Sequence, residues 1–105
     1  MGLEKDLQPG EQLLPYFRSF IEHLAASGLS PKTIRRHVDN LWSLGGEIIR
    51  DLHYDPSLRK LSAERLLRQA IHEYGGPSVH NGSEELQRSF DSTCRKLHRF
   101  LFPPA

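Results

Sequence analysis

The chain has 105 residues, 37% of them apolar, with a formal net charge of +1; that length suits one domain with one core and leaves no room for two. Charges interrupt every apolar stretch, which excludes a membrane span of ordinary length, and the opening MGLEKDLQPGE lacks the basic and apolar blocks of a signal peptide. A cytoplasmic protein without a membrane partner is therefore expected.

Strand signals are absent, since no period-two alternation is sustained and the Asn81-Gly82 pair sits in a polar loop. Helical spacing recurs four times. Leu13, Phe17, Ile21 and Leu24 share one side of a first helix, which Gly28 ends in the manner of a left-handed cap. Pro15 fits only the first turn of an ordinary helix, so a start between Glu11 and Pro15 is predicted.

Ser30 caps a second helix, with Pro31 at its first position. At about 100° per residue, Ile34, Val38, Leu41, Gly45, Ile48 and Leu52 fall in one stripe. Gly45 in that stripe allows close approach of a neighbour, whereas the Gly45-Gly46 pair also threatens to break the helix, at about 1 kcal/mol for each glycine relative to alanine.

A short Pro56-started segment leads to a third helix from Ala63 to Tyr74, capped by Ser62, with Leu67, Ala70, Ile71 and Tyr74 inward. Gly75-Gly76-Pro77 stops it, and PSVHNG reads as the most flexible stretch. Ser83, with Glu84 and Glu85 behind it, opens a fourth helix that places Leu86, Phe90, Cys94, Leu97 and Leu101 inward until Pro103-Pro104. The lone cysteine excludes an internal disulfide and reads as a small core residue. The expected fold is all-α, a compact bundle of four main short-looped helices over residues 11–102, with 1–10 as a tail and 103–105 as the end.

Charge is distributed unevenly. Residues 1–28 carry Lys5 and Arg18 against Glu4, Asp6, Glu11 and Glu22, while residues 86–102 carry Arg88, Arg95, Lys96 and Arg99 against Asp91 alone. On helix four, Arg88, Ser92, Arg95 and Arg99 recur at spacings of four, three and four, an outer ridge with Lys96 and His98 at its margins. On helix two, Lys32, Arg36, Ser43 and Arg50 lie opposite the apolar stripe with Arg35 at their flank, partly offset by Asp39 and Glu47. A row of guanidinium groups can follow a line of phosphates with bidentate hydrogen bonds, and the helix start at Ser30, Lys32 and Thr33 offers N–H groups to an anion. A merely solvated helix face has the same composition.

Taken in order, the chain resembles the SAM-like N-terminal, core-binding domain of the tyrosine recombinase or phage integrase family. The resemblance rests on YFRSFIEHLAASGLSPKTIRRHVDNLWSL and SFDSTCRKLHRFLF and covers Leu13 to Phe102. It implies a bundle of about four helices that clamps one side of duplex DNA, with the second and last long helices facing the major groove. The residues so implicated are Ser30, Lys32, Thr33, Arg35, Arg36, Arg50, Arg88, Ser92, Arg95, Lys96 and Arg99, the same face that the charge pattern selects. The family's catalytic Arg, His-x-x-Arg motif and Tyr nucleophile lie in a larger domain that has no counterpart here, and Gly45-Gly46 departs from the bulkier residues of the family's second helix. The resemblance therefore implies DNA binding without enzymatic activity, in a stand-alone module, a remnant of a mobile element, or a fragment of a recombinase. A catalytic recombinase domain and other copies of the chain on DNA are the further partners implied.

Other chemistry is poorly served. Histidines at 23, 37, 53, 72, 80 and 98 show no i, i+3 or i, i+4 pair and there is no Cys-x-x-Cys, so they read as scattered surface residues and neither a metal nor a cofactor is expected. Tyr16, Tyr54 and Tyr74 fall on or beside the expected core faces, and no Gly-x-Ser-x-Gly turn or phosphate-cradling loop offers a small-molecule substrate site. The competing reading is a protein-interaction module pairing through Trp42, Phe20 and Phe100 at the stripe edges.

Overall fold

Three serines in extended backbone set the helix starts. The hydroxyls of Ser30, Ser62 and Ser83 accept from the N–H groups of Thr33, Arg65 and Leu86, each at 3.2 Å, satisfying donors that a helix start leaves orphaned. In the computed structural model, which describes residues 2–104, the order is α1 (Gly2–Ala26), α2 (Pro31–Tyr54), a 3₁₀ turn (Pro56–Lys60), α3 (Ala63–Ala70) and α4 (Glu84–Leu101). Among the described residues there is no strand, only an isolated bridge between His72 and Gly75. Over the described residues the fold is an all-helical globule of four α-helices and the one 3₁₀ turn.

α1 begins far before the predicted start and runs through Pro9 and Pro15. Pro15 deprives the Glu11 carbonyl of its helical donor, but both residues are exposed, so water can take that place and the helix continues. The charges of Glu4, Lys5 and Asp6 lie outside the described side chains.

α2 is unbroken across Gly45-Gly46. A Cβ at Gly45 would stand 3.5 Å from the Phe17 ring, so the bare backbone there is where α1 packs down on α2. The buried face of α2 is wider than the predicted stripe: His37, Asn40, Leu41, Leu44, Ile48 and Leu52 are buried, whereas Ile34 and Val38 are half-buried. α1 covers one flank of that face and α4 the other. His37 thus corrects the reading of scattered surface histidines, since its side chain is 1% exposed.

α3 stops four residues short of the predicted Tyr74. Extended backbone at Ile71 drops that side chain into the core, and the His72–Gly75 turn swings Tyr74 out to 75% exposure. Tyr54, the last residue of α2, is 77% exposed and lies against Arg50 rather than the core. Leu86 is likewise out, one turn beyond the apolar centre. Phe20, expected at a stripe edge, is fully covered, and Phe100 rests on it at 5.7 Å between ring centroids.

The connection from α3 to α4, residues 71–83, is neither short nor loose. Gln87 Oε1 accepts from the N–H groups of Val79 and His80 at 3.0 and 2.9 Å, and its Nε2 donates to the Pro77 carbonyl and Asp91 Oδ1, both at 3.0 Å. Asp91 Oδ1 also accepts from the Gly76 N–H at 3.1 Å. Gly75, at φ +152°, and Gly76 lie so close to α4 that a Cβ would strike Asp91 or the Cys94 sulfur. Phe90, Cys94 and Leu97 of α4 complete the core with Leu52, Leu67 and Ile71.

Candidate nucleic-acid interface

α2 and α4 meet along a seam that carries polar groups where an apolar stripe was expected. Thr93 Oγ1 stands 2.7 Å from His37 Nδ1 and accepts from Asn40 Nδ2 at 2.8 Å. Asn40 Nδ2 also donates toward Ser89, to its carbonyl and its hydroxyl oxygen, at 3.2 Å each. His37 Nε2 is buried without a hydrogen-bond partner among the described residues. Burial holds the imidazole below its usual pKa of 6.5, and the charges of Arg36 and Lys96 add to the effect. Both cations, Arg36 on α2 and Lys96 on α4, are exposed.

Lys96 and Arg99 follow one another along α4. Together with His23, Ser27, Leu29 and Phe100 they line a cleft of about 410 Å³ beside the entrance to α2. Lys32 and Arg35 are exposed on the first turns of α2. None of Lys32, Arg35, Arg36, Lys96 and Arg99 pairs with a carboxylate among the described residues, whereas Arg68 lies 3.7 Å from Glu64. The basic end of α4 thus lies beside the start of α2, and no carboxylate among the described residues pairs with either.

The remaining candidates are placed elsewhere. Arg88 borders a depression shared with Glu84 and Asp91, where carboxylates temper its field. Arg95 reaches toward the Tyr74 carbonyl at 3.5 Å, over the 71–83 connection. Arg50 lies with its guanidinium 5.8 Å from the Tyr54 ring centroid, its pKa raised first by that side chain's hydrogen bond and then by Tyr54, Glu47 and Asp51 charges. It stands five turns from Lys32, at the other end of α2. Ser92 is half-buried next to the seam.

The start of α2 has fewer free donors than its exposure suggests. Ser30 takes the Thr33 N–H, its own hydroxyl donates to Thr33 Oγ1 at 3.0 Å, Pro31 has no N–H, and Ile34 bonds the Ser30 carbonyl. Among these positions only the Lys32 N–H is left to an anion, so side-chain cations would hold any phosphate here.

Sequence reading missed the Ser89, Thr93, His37 and Asn40 cluster because apolar periodicity is blind to it. The signal was available in the spacings, i, i+3 on one helix and i, i+4 on the other, which put two polar pairs on facing sides.

No cluster of three or more His, Cys, Asp or Glu that could hold a metal exists among the described residues. Burial, with Asp91 next in effect, pushes the Cys94 thiol up to about 12, leaving no thiolate for nucleophilic work. No helix among the described residues is long and apolar enough to cross a membrane. Comparison with known protein families, characterised proteins and solved structures finds no match to this chain.

Proposed function

We propose that the protein is a DNA-binding module without enzymatic activity of its own, similar to the core-binding domain of a phage-type integrase and gripping duplex DNA through α2 and α4. The observation that carries this reading is the cleft beside the entrance to α2, where Lys96 and Arg99 of α4 stand with Ser27 and Leu29, while Lys32, Arg35 and Arg36 are exposed on the first turns of α2 and none of the five pairs with a carboxylate among the described residues. Phosphate contacts from these groups would dominate affinity, with Lys32 and Arg35 on the same end of α2 closest to base edges. Arg50, Arg88 and Arg95 stand away from that cleft and contribute less.

The test is fluorescence anisotropy with a labelled random-sequence duplex at low and raised salt. Wild-type protein binds at low salt and weakens steeply as salt rises. The double variant Lys96→Glu/Arg99→Glu keeps its helical circular dichroism, binds at least tenfold more weakly, and lowers the slope of log K against log salt by about 2. Binding that is absent at low salt, or indifferent to this variant, overturns the reading.

A second reading as a protein-interaction module draws on a different surface, where Trp42 stands 72% exposed.

A further inference from the structure

Away from the α4 seam, α1 and α2 leave an apolar groove of about 540 Å³ between them. Its floor is Leu13, Phe17, Leu41 and the bare backbone of Gly45-Gly46, and Trp42 rises from its edge. A cleft of this size takes a large aromatic group, and an exposed indole beside such a cleft is unusual on a surface with no partner. The charged residues lining it are Arg18 and Glu22. They sit one turn apart on α1, yet no ion pair joins them to each other or to any described residue.

The register of the two helices relates these features. Gly45 lies against Phe17. In the antiparallel hairpin of α1 and α2, stepping three residues back to Trp42 corresponds to stepping three forward to Phe20, midway between Arg18 and Glu22. A two-fold axis at Trp42 would thus set the two indoles together and bring each Arg18 against the other chain's Glu22. One surface offers both the projecting ring and the groove, and both members of the charge pair, which is the requirement for an isologous contact.

We infer that the protein self-associates as a two-fold dimer through the α1/α2 groove, with Trp42 at the axis and Arg18 and Glu22 paired between chains. The inference does not rest on DNA binding. The groove occupies the flank of α2 that bears Val38, Trp42 and Ile49, whereas α4 covers His37 and Asn40 through Thr93, so pairing leaves Lys96 and Arg99 uncovered.

The experiment is sedimentation equilibrium over a wide concentration range, read alongside emission from Trp42, the single tryptophan. A monomer–dimer transition is expected, with emission moving to shorter wavelength at the same midpoint. Arg18→Glu alone and Glu22→Arg alone each place like charges across the axis and remain monomeric. Mixed in equal amounts they restore the dimer, because every cross-chain pair is then opposite in sign. Trp42→Ala weakens association at least tenfold. All three positions are exposed, and unchanged circular dichroism confirms each fold. A monomer at every concentration overturns the proposal, as does a dimer that survives the single charge reversals or a mixture that stays monomeric.

Discussion

At the level of single residues, Thr93 carries more than its size suggests. Its hydroxyl is the common partner of His37 and Asn40, both nine-tenths buried. Thr93→Val keeps the shape, removes that partner, and is expected to cost about 2 kcal/mol in a urea titration, because two buried polar groups then lose a hydrogen bond. His37 also gives stability a pH dependence. Its folded pKa is depressed, so the unfolded chain takes up a proton first; stability is intact above 6.5 and declines as pH falls from there toward the folded value. Urea midpoints on either side of 6.5 measure the decline, and His37→Gln reduces it. Cys94, covered and with its thiol pushed up to about 12, stays unmodified by a thiol reagent until the protein unfolds. The helical neighbours of Cys94, Phe90 and Leu97, sufficed to place it in the core. His37 could not be placed in the same way, since polarity alone argues for the surface and only a facing Thr93 reverses the argument.

At the level of elements, capping chemistry was the most legible feature. Ser30-Pro31, Ser62 and Ser83 marked three helix starts directly, because a hydroxyl acting on an N–H three residues on is a local interaction. Ends that depend on tertiary packing were less legible. The end of α3 follows from the need to lay residues 75–80 along α4, and neither Gln87 nor Asp91 announces itself as an anchor in sequence. Gln87→Ala should therefore speed amide exchange at Val79 and His80 far more than within α2. Gly76→Ala drives a methyl to within 2.6 Å of the Cys94 sulfur position and should lower the thermal midpoint, whereas Gly46→Ala meets open space and should stabilise α2 by about 1 kcal/mol. Opposite signs for the two substitutions test whether each glycine is there for space or merely tolerated.

Across the whole molecule, two surfaces divide along α2. One carries the exposed cations at the start of α2 and the Lys96–Arg99 cleft of α4, and the other exposes Trp42 over an apolar groove shared with α1. Sequence spacing put Arg88, Ser92, Arg95 and Arg99 on outer positions of one helix; the three arginines are exposed, while Ser92 is half-buried beside the seam. It could not show that Arg95 lies over the 71–83 connection or that Glu84 and Asp91 share a depression with Arg88, since those relations depend on a long connection folding back. The charge that remains concentrated is at the C-terminal half of α4, next to α2. Net charge alone conceals it, because the total is +1.

The polar seam between α2 and α4 also bears on how the two helices find their alignment. Two oily helices can slide past one another by a turn and still bury similar area. Here the slip that carries Leu97 into the place of Thr93 would set a buried imidazole against an alkyl side chain, with nothing to bond its Nδ1. That misaligned packing is penalised by the same groups that gain little in the correct one, so the seam resists sliding in that direction, and the spacing between the basic helix ends is held by the same bond.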